Sequence, residues 1–153
     1  MTIGPTAFAF LDHKSSSSTS ALTIVHSLIF QLASQNDNLQ DVIRQSARQQ
    51  LKSTLNVAVK VLRSILHCVG RAFVIIDGVD EIDEIERNRL LNSFLELSRD
   101  CHETRIFVSS RQDALILRLL QDRARSIRVD QKNTERIQNI VQYSEDGIYT
   151  DNI

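Results

Sequence analysis

The chain has 153 residues, a length that fits one domain, and its 42% hydrophobic and 24% charged residues are the ordinary balance of a chain that buries a core. A formal net charge of −1, with basic residues scattered among acids, gives no basic footprint for nucleic acid. No apolar run is long enough to cross a bilayer, which argues against a membrane protein.

Four short apolar runs alternate with longer helical patterns. The first strand is expected at Ala7–Leu11, ending at Asp12. After a serine run from Ser15 to Ser18, Thr19 or Ser20 can cap a helix through its hydroxyl. In that helix Ala21, Leu22, Val25, Leu28, Ile29 and Leu32 recur at steps of three and four, and Ile24 and Phe30 widen the stripe until most sides are expected to be buried. A more polar helix is expected over Asp37–Gln50 and another over Leu55–Cys68, with Gly70 placed to end it.

Ala72–Ile76 is continuously apolar, the pattern of a parallel strand covered on both faces. A helix follows from Glu84 to about Arg99, with Leu90, Leu91, Phe94 and Leu95 facing inward. Arg105–Ser109 reads as the third strand, Asp113–Leu120 as a short helix, and Ser126–Val129 as a fourth strand with one solvated face. Asn133 can cap a last helix through Tyr143, and a frayed tail follows Gly147. The sum is an α/β fold, one domain with its core at about residues 7–143, built on a parallel sheet with right-handed crossovers.

Ligands in such sheets sit beyond the carboxyl ends of the strands. That rule selects Asp12-His13-Lys14, Asp77 to Glu81, and Ser109-Ser110-Arg111. Asp77 directly follows five apolar strand residues, where a hard carboxylate oxygen could face magnesium. Gly78 permits a sharp departure from the strand, and Asp80 or Glu81 could orient or deprotonate an attacking water. Glu84 and Glu86 need no more than the positive end of the helix they begin. Arg111 has the bidentate geometry to meet a phosphate oxygen.

A phosphate loop of the form G-x-x-x-x-G-K-[ST] does not occur: the four glycines are followed by Pro5, Arg71, Val79 and Ile148, never by Lys. Cys68 and Cys101, each beside a histidine (His67 and His102), lack C-x-x-C spacing and read as reduced thiols. With no basic n-region and cleavage site in the first thirty residues, a cytoplasmic location is expected.

Phe73-Val74-Ile75-Ile76-Asp77-Gly78-Val79-Asp80-Glu81 resembles the Walker B segment of NACHT domains. Those are signalling P-loop NTPases of the STAND class, found in NOD-like receptors and fungal incompatibility proteins. Phe10-Leu11-Asp12-His13-Lys14 with its Ser/Thr stretch is similar to the second core strand of the nephrocystin-like members, and Ile106 to Arg111 to their sensor 1 strand. Gln112 stands where that family usually has Pro.

The resemblance implies a P-loop NTPase-like sheet of order 5-1-4-3-2, whose first strand and phosphate loop would precede Met1. It assigns Asp77 to magnesium, Asp80 and Glu81 to catalysis, Arg111 to the γ-phosphate of ATP, and ATP or ADP with Mg as cofactors. A partial module that binds nucleotide weakly or not at all is the first expectation. Self-association or docking on full-length NACHT proteins, through an open sheet edge or exposed helices, is the second. A magnesium-dependent hydrolase using Asp77 and Asp80 is the third.

Overall fold

A computed structural model describes residues 4–12, 20–36, 39 and 54–127. Its elements run β1 (Thr6–Phe10), α1 (Ala21–Ser34), α2 (Leu55–Val69), β2 (Ala72–Asp77), a 3-10 turn (Val79–Glu81), α3 (Glu84–Asp100), β3 (Thr104–Val108) and α4 (Ala114–Leu120). The strands form one parallel sheet of order β1-β2-β3. In its register Phe8 faces Ile75 and Ile75 faces Phe107. The α/β architecture read from the sequence is therefore present, with flanking helices on an open three-stranded sheet.

Local chemistry sets the helix ends. The Ser20 hydroxyl accepts from Thr23 N–H at the start of α1, and the Thr54 hydroxyl does the same for Val57 N–H in α2. Gly70 adopts φ 68° and its N–H reaches Leu66 O at 3.0 Å, ending α2 where expected. Asp83 caps α3 by accepting from Ile85 and Glu86 N–H. Asp113 lies just outside α4 and caps it rather than beginning it.

Leu28, Ile29 and Leu32 of α1, Leu62, Ile65 and Leu66 of α2, and Leu90, Leu91 and Leu97 of α3 are fully buried together with Val74 and Ile76. Burying each such side chain contributes about 1.5–3 kcal/mol, which makes this helix–sheet layer the core. Phe30 departs from expectation and is 63% exposed. It falls on the α1 face of Thr23, Ser27 and Ser34, at steps of seven, three and four, and that face is turned to solvent or to polar contacts.

Both crossovers step the same way across the sheet, from β1 to β2 and from β2 to β3. Right-handed connections then send α1, α2 and α3 to one face. Ala7, Ala72, Val74, Ile76 and Thr104 are buried on that side. Phe8, Ile75 and Phe107 form a row across the opposite face and are 48%, 38% and 55% exposed. The apolar run of β2 suggested cover on both faces. Among the described residues only one face receives it, because no crossover steps back.

The outer edge of β1 is covered at Thr6 and Phe8. The side-chain amides of Gln31 in α1 and of Gln35, the C-cap of that helix, bond Phe8 and Thr6 as a neighbouring strand would. The chain divides into two compact units, Met1–Arg118 and Leu119–Ile153. In the second, residues 119–127 hold the end of α4 and a turn in which Leu120 O accepts from Arg123 and Ala124 N–H. Ser126 and Ile127 form no strand, and Arg128 and Val129 lie outside the described residues. The helix expected at Asn133–Tyr143 also lies outside them, as does that at Asp37–Gln50 apart from the buried Leu39.

Candidate functional site

Asp77 is the last residue of the central strand and its side chain is exposed. The backbone on both sides of it is anchored. Leu11 N–H donates to Asp77 O at 2.9 Å, and Ser109 N–H donates to Ile76 O at 2.8 Å. Gly78 then turns the chain with φ 80° and ψ 41° in the left-handed region. A Cβ on Gly78 would lie 2.9 Å from Leu11 O, so the close approach of β1 and the turn requires glycine on two counts. Val79 is fully buried beneath the 3-10 turn, and its N–H donates to Ser109 O at 3.1 Å.

The residues after β3 meet this turn side chain by side chain. The Ser109 hydroxyl donates to Asp77 Oδ1 and accepts from Gly78 N–H at 3.2 Å. Arg111 N–H donates to Asp80 Oδ1 at 3.0 Å, its Nε lies 3.2 Å from Asp80 Oδ2, and its terminal nitrogen pairs with Glu81 Oε1. The Asp80 and Glu81 side chains are 14% exposed and that of Arg111 is 73% exposed. The arrangement is an acidic turn covered by one solvent-facing guanidinium.

All four residues singled out in the sequence, Asp77, Asp80, Glu81 and Arg111, thus gather at the carboxyl ends of β2 and β3. The carboxylates expected to handle water are bonded to the arginine expected to meet phosphate. Asp12 is exposed just beyond β1, while His13 and Lys14 lie outside the described residues. No group of three or more metal-ligating side chains suited to a metal ion occurs among the described residues. A recess of about 320 Å³ between β1 and α1, lined by residues such as Phe10, Thr23 and Gln31, includes none of the four.

Three contacts at or near the site went unread in the sequence. Ser109 stands in a strand-end segment, and a hydroxyl directly after a strand beside an acidic tip is a usable signal. Glu86, assigned to the start of its own helix, instead also reaches Ala21 N–H at 2.8 Å and caps α1. Arg87 is buried in α3 and pairs with Asp113 Oδ2 at 3.2 Å. A long polar residue within an inward-facing stretch was the only sequence trace of that pair.

The histidine–cysteine neighbours cross over in space: His67 Nε2 lies 3.9 Å from Cys101 Sγ, while Cys68 is exposed. Burial, then the Asp100 carboxylate, push the Cys101 thiol up, with Arg63 opposing. No described helix is long and apolar enough to cross a membrane.

The chain matches the family described as Nephrocystin 3, N-terminal over residues 3–111. That span takes in all three strands, the acidic turn and Arg111. No curated protein and no solved structure matches the chain.

Proposed function

The chain belongs to the nephrocystin 3 N-terminal family, and from that premise we propose that it carries the magnesium- and γ-phosphate-facing half of a NACHT-type, STAND-class nucleotide switch. The observation that carries the reading is the Arg111 guanidinium bridging Asp80 and Glu81 next to Asp77, at the strand ends where α/β sheets bind ligands. Asp77 would hold Mg, with phosphate oxygens and water completing the shell. Asp80 and Glu81 would orient water in the parent activity, ATP hydrolysis, and Arg111 would meet the γ-phosphate of ATP.

The ion pair itself supports a switch. With the guanidinium 73% exposed, such a pair contributes about 0–1 kcal/mol, so a phosphate oxygen can compete for it. Detaching Arg111 would remove the guanidinium charge held against both carboxylates. These 153 residues contain no phosphate-cradling loop, so their own affinity for nucleotide is expected to be low.

Titration of the full chain with Mg-ATP tests the reading. Binding no tighter than ~1 mM, about 4 kcal/mol, and lost in both Asp77→Asn and Arg111→Gln, supports it. Binding indifferent to both substitutions, or in the micromolar range, overturns it.

A second reading is favoured by the exposed row Phe8, Ile75 and Phe107. In it the chain is a non-enzymatic interaction module that self-associates or docks on full-length NACHT proteins. Gln31 and Gln35 cover the β1 edge at Phe8 and Thr6, so the apolar sheet face, rather than that edge, would be the contact. Co-purification that survives Asp77→Asn and fails on Phe107→Thr would favour this reading.

A further inference from the structure

The five residues after β3 are tied down at three points. Ser109 bonds Asp77, Arg111 bonds Asp80 and Glu81, and Asp113 bonds Arg87. The third tie differs from the second in its surroundings. The Arg87 side chain is 8% exposed against 73% for Arg111, its Nε has no hydrogen-bond partner among the described residues, and its counter-charge Asp113 is 27% exposed. The other Asp113 oxygen caps α4, accepting from Leu115 N–H at 2.7 Å and Ile116 N–H at 3.3 Å.

These contacts close a circuit. The acidic turn runs into Asp83, the cap of α3, and Arg87 lies in the first turns of that helix. Arg87 reaches Asp113, and two residues back Arg111 reaches the acidic turn again. Parting the two would leave the buried Arg87 charge without its counter-charge, which is unfavourable. The Arg87–Asp113 end is therefore the fixed end, and the exposed Arg111 end is the labile one. An arginine whose backbone is held in place loses less freedom on forming an ion pair, so a fixed Asp113 favours the Arg111 contact.

We propose that Arg87 is a positioning residue that, acting through Asp113, holds Arg111 against Asp80 and Glu81. The proposal deepens the switch reading above and rests on it for its purpose, but its readout needs no nucleotide. Phenylglyoxal modifies accessible guanidinium groups, and peptide mass spectrometry of the intact chain after labelling gives a rate for each arginine. Arg63, paired with Asp100 at 3.0 Å and far from the turn in sequence, serves as the internal reference.

Arg87→Met and Asp113→Asn are expected to speed labelling at Arg111 by at least about twofold, the low end of coupling within one charge network, while Arg63 is unchanged. Arg87→Lys, which keeps the charge, should restore most of the wild-type rate. Asp113→Asn keeps an oxygen to cap α4, so it decides the matter even if Arg87→Met fails to fold. An unchanged Arg111 rate in Asp113→Asn overturns the proposal, as does equal acceleration at Arg63, which would mean general loosening. A failed Mg-ATP titration would remove the switch reading and leave this labelling result untouched.

Discussion

The side-chain amide of Gln31 accepts from Phe8 N–H at 3.0 Å and donates to Phe8 O at 2.7 Å, so one residue of α1 satisfies both outward backbone groups of an edge-strand residue. Gln35 repeats the pairing at Thr6, accepting at 3.2 Å and donating at 2.8 Å. Outward-pointing groups in a parallel strand recur every second residue, about 6.6 Å apart. At about 1.5 Å per residue, glutamines at i and i+4 are about 6 Å apart along the helix, close to that spacing. Strand edges left open are templates for another chain, and here two amides take the place of that chain.

Replacing both glutamines with leucine should therefore do two things. Each lost pairing costs about 0.5–1.5 kcal/mol net, because water can replace an exposed partner. The bared β1 edge should also raise self-association, read as concentration-dependent sedimentation. Unchanged sedimentation would show that the amides do not guard the edge.

Gly78→Ala should lower stability by about 1–3 kcal/mol, from left-handed strain and from the 2.9 Å approach to Leu11 O. Gly70 also has positive φ, at 68°, but a Cβ there meets nothing within 4 Å. Gly70→Ala should also lose stability, there through backbone strain alone, since φ 68° with ψ −107° lies outside the left-handed helical well. Urea midpoints, compared at unchanged m, measure both. An unchanged midpoint in Gly78→Ala would mean that the turn does not need its close approach to β1.

Cys101 gives a pH dependence whose sign follows from burial. Its thiol is raised in the fold, first by desolvation and next by Asp100, so the unfolded chain deprotonates at lower pH. The associated stability is full below the unfolded thiol value and is lost as pH rises through the higher folded value. Cys101→Ala should flatten that alkaline loss. In the native wild type at mild alkaline pH, a disulfide reagent should label Cys68 quickly and Cys101 only on unfolding. Equal labelling rates would contradict the burial argument.

On the uncovered sheet face, Phe107→Thr should reduce binding of an apolar dye while changing stability little, since the ring is 55% exposed. Leu62→Ala in the core should do the opposite, costing about 2–5 kcal/mol. If the aromatic substitution costs as much as the core one, the face is covered in solution.

Much of the framework was legible because its signals are local. The 3.6-residue stripe of Leu28, Ile29 and Leu32, the capping hydroxyl of Ser20 and the stop at Gly70 each act within a few neighbouring residues. Burial of one face was also readable in Val74 and Ile76. Exposure of the other was not, because Ile75 looks the same whether or not a helix packs on it. Phe30 misled for a related reason: apolar character marks what can be buried, while rotation about the helix decides what is.

The site divides along the same line. By itself the sequence determined that acids stand at the tip of an apolar strand, since Asp77 closes an apolar run and Gly78 allows the turn. It also placed Arg111 at the next strand end. Only the tertiary structure decided that Arg111 rests on Asp80 and Glu81 about thirty residues away, with Ser109 on Asp77 and Arg87 on Asp113. Parallel register and the packing of α3 bring those groups together, and neither is encoded in any short window of residues.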